Sequence, residues 1–179
     1  QLREVLKRPV MDTNKIEKLV LPILEKVRRG GDRALKKLVL EYDHVELDEL
    51  WISENELKDA EKYVNANLKI AIEIAKKNIW KFHEAQQQSP LTVETMSGVI
   101  CKRKSVPIRN VGLYVPGGTA PLFSTVLMLG IPALIAGCKN IIIASPTNKM
   151  GKINPVVLYT ANLLGIRSVL KLGGAQAIA

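Results

Sequence analysis

From residue 111 onward the chain repeats one pattern, a short apolar run, a glycine or proline turn and a segment of helix length. The apolar runs are 111–115, 141–144 and 168–172, and the helix-length segments are 123–136 and the stretch that follows Asn154 and Pro155. Proline suits the first turn of that second helix, and Gly165 ends it. Gly173 and Gly174 then turn into the next helix. Short strands alternating with helices build a parallel sheet joined by crossovers. Residues 111–179 are therefore expected to form an incomplete Rossmann-like parallel βαβαβ half-sheet, truncated at its end.

Residues 1–110 follow a different grammar. Ile16, Val20, Ile23 and Val27 keep a helical stripe that closes at Gly30 and Gly31, with Thr13 or Asn14 as its start. Pro22 conflicts with an unbroken helix, because an interior proline costs about 3 kcal/mol, so a kink or division is expected there. Asp32 opens a second helix to about residue 40, and Ser53 with Glu56 makes a capping box for a third. Leu68, Ile72, Ala75, Ile79 and Phe82 recur at spacings of four and three, which predicts a long amphipathic helix ending near Gln88. Residues 91–96 and 99–103 read as two strands joined across Ser97 and Gly98, a hairpin. The fold class is α/β. A helical segment with a hairpin over 1–110, part of an incomplete first domain, precedes the half-domain of 111–179. No repeat or low-complexity tract occurs.

The net charge of +9 invites a nucleic-acid reading, but the basic residues are mostly interleaved with acids along helices, as on a solvated surface. The distribution says more than the sum. All 17 acidic residues precede position 111, and nine of the 12 glycines follow it. An acid-free, glycine-rich segment suits an anionic ligand such as a dinucleotide, although a mostly buried sheet also excludes charge. No run of about 18 apolar residues occurs, so no membrane span is expected, and no signal-peptide pattern opens the chain. Cys101 and Cys138 are far apart in sequence and suit a reducing compartment, so a cytoplasmic protein is expected. Gln1 and Ala179 do not resemble natural domain ends, which reads as a piece of something longer.

Two turns, Pro116-Gly117-Gly118-Thr119 and Gly173-Gly174-Ala175-Gln176, lie just past the carboxyl ends of expected strands and lead into helices. Ligands of open parallel sheets bind there. Glycine lets backbone N–H groups approach a phosphate, and the helix start adds partial positive charge, though glycine serves such turns for steric reasons too. No G-x-G-x-x-G occurs, and no acid follows the second strand to hold a ribose, since 141–144 runs into Ser145 and Pro146. A dinucleotide must be held differently. Tyr114 offers a ring or a hydroxyl, or is simply a core tyrosine; Gln176 offers a donor and an acceptor, or is simply a helix cap.

Other residues carry weaker signals. Either cysteine could be read as an aldehyde-capturing thiol, but Cys138 follows a helix stop and enters an apolar strand, the setting of a structural cysteine. His44 and His83, even with the cysteines, have no metal-ligand spacing. His83 reads as an interfacial helix residue, and Lys102, Arg103 and Lys104 read as a solvated strand edge.

Residues 111–146, VGLYVPGGTAPLFSTVLMLGIPALIAGCKNIIIASP, resemble the nucleotide-binding segment of histidinol dehydrogenases, and KLGGAQAIA at 171–179 resembles the segment that follows it. GGDRALKKLVLEYD at 30–43 and FHEAQ at 82–86 resemble the helical part of the same enzymes. The resemblance implies a homodimer that oxidises L-histidinol with NAD in two steps, through bound histidinaldehyde, to L-histidine, with zinc holding the substrate. It implies that Tyr114 and Gln176 contact NAD. The family's zinc ligands, its glutamate–histidine acid–base pair and a further NAD-contacting asparagine belong to segments beyond Ala179, so no catalytic or metal residue is assigned here. The alternatives are a nucleotide-binding or dimerisation module without catalysis and, less well supported, a basic nucleic-acid-binding protein.

Overall fold

The computed structural model describes residues 13–117 and 122–179. Helix α1 (Thr13–Asp43) passes Pro22 in helical conformation and breaks at Gly31, whose φ of 51° and ψ of −140° leave the helical region. The break thus falls where the stripe was expected to close, at Gly31, and the further kink or division expected at Pro22 is absent. Proline's fixed φ already suits a helix and costs mainly hydrogen bonding, whereas the left-handed φ at Gly31 turns the chain and is open to a residue without a Cβ. The first half of α1 leaves Ile16, Leu19 and Leu21 exposed, while the second half buries Leu38 and Val39.

Helix α2 (Glu54–Asp59) starts at the expected capping box. The Glu56 N–H donates to Ser53 Oγ at 3.2 Å, and the Ser53 N–H donates to Glu56 Oε2 at 3.0 Å. A short 3-10 turn, Ala60–Tyr63, leads to helix α3 (Ala66–Glu84), capped by Asn65, whose Oδ1 accepts from the Leu68 N–H at 2.8 Å. Helix α3 buries Ile72 completely, and its core contacts end with Ile79 and Trp80. The last turn runs past that core. Phe82, expected on the buried stripe, is 66% exposed and meets the edge of His83, and the helix stops at Glu84 rather than near Gln88. The hairpin of β1 (Leu91–Met96) and β2 (Val99–Arg103) forms as expected, turning at Gly98 with φ 79°, and both strands are exposed throughout.

The sheet contains β3 (Asn110–Tyr114), β4 (Asn140–Ala144) and β5 (Ser168–Leu170), all parallel, in the order β3-β4-β5. Right-handed crossovers advancing in one direction put α4 (Phe123–Ala136) and α5 (Pro155–Leu163) on the same face, and these two helices pack together. Alternation along the strands turns Val115, Ile143 and Val169 into the core beneath them, with Leu127 and Ile131 of α4, Ala161 of α5 and Ile72 of α3. Leu170 points the other way, into a smaller cluster of Val39, Val45, Leu47, Leu50 and Leu172.

Strand β5 is two residues shorter than its apolar run. The Lys171 N–H turns to Leu50 O at 2.8 Å, and the Ile52 N–H donates to Val169 O at 2.9 Å, so residues 50–52 pair antiparallel along the edge of β5. Helix α6 (Gly174–Ile178) closes the described chain. The expected half-sheet is thus present, with helical residues from before position 111 built into its core.

Packing sets unequal costs for two apolar residues. Leu127→Ala, which empties a fully buried position, should lower unfolding free energy by about 2–5 kcal/mol. Phe82→Ala should change it by less than about 0.5 kcal/mol. Urea unfolding of both variants checks the contrast, and equal losses would contradict this core assignment.

Candidate functional site

The carboxyl ends of the three strands finish level, because Val115 N–H donates to Ala144 O at 2.9 Å and Ser145 N–H to Leu170 O at 3.0 Å. Past this line both glycine turns close on one ring. A Cβ placed on Gly117 would lie 2.6 Å from Pro146 Cγ, and one placed on Gly173 would lie 2.7 Å from Pro146 Cβ. Any side chain at either position must push the turns apart. Gly118 and Thr119 of the first turn lie outside the described residues.

The two side chains singled out in the sequence meet at this place. Tyr114 is half-buried, and its hydroxyl accepts a hydrogen bond from the Gly174 N–H at 3.1 Å across 60 residues of sequence. A hydroxyl that accepts in this way keeps its own proton for another acceptor. Gln176 is 5% exposed, and its carboxamide packs beneath Gly174, where an added Cβ would lie 2.7 Å from Gln176 Oε1. Helix α6 has no side-chain cap, so Gln176 is not acting as one. No hydrogen bond links its carboxamide to the described residues, which leaves a donor and an acceptor beside the Tyr114 hydroxyl.

An ion pair anchors the second turn from below. The nearly buried Lys171 ammonium lies 2.9 Å from Glu56 Oε1, the same carboxylate that closes the capping box of α2. Burial pushes the Glu56 carboxyl up. Hydrogen bonds from the Ser53 N–H, the Lys171 ammonium and the Ser53 hydroxyl outweigh it and hold the group below its ordinary value.

On the Gly117 side a cleft of about 190 Å³ opens over the end of β4, lined by Gly117, Ser145, Thr147, Lys152 and Asn154 among others. Sequence reasoning passed over Ser145, Thr147 and Lys152, since isolated hydroxyls and one lysine have no periodicity to mark them. A larger hollow of about 800 Å³ lies at the amino ends of the strands, against Asn110, Cys138, Asn140 and Ser168. Position ranks above size here, because ligands of such sheets sit at the carboxyl ends. Cys138 is therefore remote from the glycine turns, Cys101 is exposed on the hairpin, and His83 is bonded to Gln86 at 3.3 Å. Among the described residues no group of three or more His, Cys, Asp or Glu side chains could hold a metal.

Gly174→Ala should cost about 1–2 kcal/mol, because φ is +64° and the new methyl meets the Gln176 carboxamide. Thermal melts check it, and an unchanged midpoint would refute the close packing described. For Glu56, a lowered folded value means that its stabilisation is complete above the unfolded value and is lost as pH falls through the folded one. The group is largely solvated, so the effect is small. The Tm difference between the wild-type chain and Glu56→Gln should shrink between pH 7 and pH values below about 4. A difference that stays constant would remove the ion pair from the account.

The sequence model of the histidinol dehydrogenase family matches residues 6–179. A histidinol dehydrogenase of Bacteroides fragilis is 50% identical over 179 residues, which is 100% of this chain and 42% of that protein. A histidine biosynthesis trifunctional protein of Candida albicans is 48% identical over 180 residues, covering 99% of this chain and 21% of the relative. The crystal structure of histidinol dehydrogenase from Elizabethkingia anophelis superposes with a TM-score of 0.93 at 44% identity, covering 98% of this chain and 41% of that one. The chain thus spans less than half the length of the relatives it matches. With the sheet, the two turns and the sequence in agreement along nearly all of its length, the chain belongs to the histidinol dehydrogenase family.

Proposed function

We propose that this chain supplies one wall of the NAD site of an enzyme that oxidises L-histidinol to L-histidine through histidinaldehyde. The observation that carries the reading is the meeting of Tyr114, Gly174 and Gln176 at the carboxyl ends of the sheet strands, with a hydroxyl proton and a carboxamide that no described residue uses. The glycine turns at Gly117 and Gly173 stand at the carboxyl ends of the strands, the place where open parallel sheets bind their ligands. NAD, when bound, accepts the hydride from the alcohol and then from the aldehyde.

The chain's own residues hold and orient. The Tyr114 hydroxyl, fixed by the Gly174 N–H, directs its proton toward an acceptor on the coenzyme. Gln176 offers a donor and an acceptor from a wall that admits little water. Zinc belongs to the same reading through the family, but the described residues do not fit it, and no step is derived through it. An acid–base pair is likewise not assigned within this chain.

The remaining parts of the reading follow from it. The partners are L-histidinol as substrate and a second subunit in a homodimer, with neither nucleic acid nor membrane. Among the described residues no helix is long and apolar enough to cross a bilayer. Two free cysteines, one of them exposed, fit a cytoplasmic setting.

Titration of the chain with NAD, followed by calorimetry, tests the reading. Weak binding is expected, reduced about tenfold by Gln176→Leu, which leaves the coenzyme without a buried polar partner. NAD binding indifferent to both Gln176→Leu and Tyr114→Phe would remove the site. The 179 residues alone should form no NADH from histidinol. Clear turnover would overturn the assignment of the catalytic groups to segments outside this sequence.

A further inference from the structure

The Tyr114 hydroxyl keeps one orientation while the Gly174 N–H donates to it, and that contact has little slack. At 3.1 Å it stands toward the long end of the range for such bonds, so a turn displaced by about half an ångström would lose it. Gly174 has no side chain with which to anchor itself. The Pro146 ring limits how closely Gly173 can approach, but a steric limit pushes and does not pull. An attractive hold has to come from the residues that lead into the turn.

Lys171, just before the turn, supplies it twice. Its N–H donates to Leu50 O at 2.8 Å, and its ammonium lies 2.9 Å from Glu56 Oε1. Exposed ion pairs contribute little, because two long side chains must be ordered to make them. Here one side is ordered independently. The Ser53 N–H and the Ser53 hydroxyl both donate to Glu56 Oε2 at 3.0 Å, which fixes the carboxylate and leaves Oε1 for the lysine. The lysine side chain is only 11% exposed, so its ammonium has little water to turn to if the carboxylate is removed. Leu172, buried in the cluster that includes Leu50, carries the restraint on toward Gly173 and Gly174. Neither Glu56 nor Lys171 lines the cleft at Gly117.

We propose that Glu56 and Lys171 are positioning residues for the coenzyme, an ion pair that keeps the Gly174 N–H on the Tyr114 hydroxyl and so aims that hydroxyl from outside the ligand site. For what the hydroxyl meets, the inference rests on the NAD reading; the hold on the hydroxyl stands on the contacts above. One carboxylate then has two separate jobs. Oε2 closes the helix cap and serves stability, whereas Oε1 reaches across to the sheet and sets where the hydroxyl points.

Amide NMR of the chain, paired with calorimetric titration of NAD, separates positioning from a purely structural role. Lys171→Met keeps the stem and removes the ammonium. Its Gly174 amide proton should move upfield and exchange with solvent about tenfold faster, as for a hydrogen bond that has opened. NAD should bind about tenfold more weakly. Glu56→Gln still accepts from Ser53 and keeps the helix start, so it should move the same amide in the same direction by less. It carries the same readings should Lys171→Met not fold. Lys171→Arg retains charge and donors and should return both amide and affinity toward wild type. A lower Tm with the Gly174 amide and the NAD affinity unchanged overturns the proposal, and so does a Lys171→Arg chain that behaves like Lys171→Met. An amide that moves while NAD binds as in the wild type also overturns it, and spares the dinucleotide reading. An amide that moves in a chain whose wild type takes no NAD upholds the hold on Tyr114 and removes the dinucleotide reading instead.

Discussion

The approach of two backbone turns to the Pro146 ring is the constraint from which the site follows. Strand ends in a parallel sheet lie only about 4.8 Å apart, so the loops leaving them compete for one small space. At Gly117 and Gly173 the conflict is resolved by having no Cβ. Packing alone therefore explains why both positions are glycine, and their presence is not in itself a sign of a ligand. What packing does not explain is the unused hydrogen-bonding capacity beside them. The Tyr114 proton and the Gln176 carboxamide are half-enclosed and enclosed respectively, and neither has an acceptor or donor among the described residues. A folded chain gains nothing by keeping such groups idle at the edge of its core.

The fold was legible where one local force acted alone. The capping box at Ser53 and Glu56, the hairpin turn at Gly98 and the proline at the start of α5 each answer to a few neighbouring residues, and all three are present. The misread elements are those decided by something distant in sequence. Strand β5 ends early because the Leu50 carbonyl, 121 positions away from Lys171 by numbering, takes the next N–H. Phe82 keeps its place in a perfect helical stripe but extends beyond the helices that would cover it. Periodicity reports which face of a helix is apolar, not how far the covering layer reaches.

The candidate site divides along the same line. Tyr114 and Gln176 were visible one at a time, through the turns that flank them and through the family motif. Their contact was not, because 60 residues separate Tyr114 from Gly174 and only the parallel register of β3, β4 and β5 brings them level. Ser145, Thr147 and Lys152 carried no signal in the sequence. Each is ordinary in type, and what brings them to one cleft, with Thr147 Oγ1 buried and unpartnered, exists only once the surroundings are fixed.

The charge pattern gains a sharper meaning from the fold. A segment without acids after residue 110 was open to two explanations, an anionic ligand or plain burial. The structure shows that this segment does receive carboxylates, but from elsewhere: Glu56 reaches Lys171 at 2.9 Å, and Glu54 stands 3.6 Å from Arg167. Both acids sit on the first turn of α2, where they also favour the positive end of that helix. The helical part thus neutralises two of the segment's five cations, while Lys139, Lys149 and Lys152 form no ion pair with the described residues. Burial accounts for the stronger pairing, since Lys171 is far more enclosed than Lys152 and is the one held at 2.9 Å by a carboxylate. A lysine in solvent needs no partner to be stable, and Lys152 shares a hollow with Glu56 and Asp59 without pairing with either. The missing acids of the segment are therefore supplied in part from outside it, by the two glutamates at the start of α2.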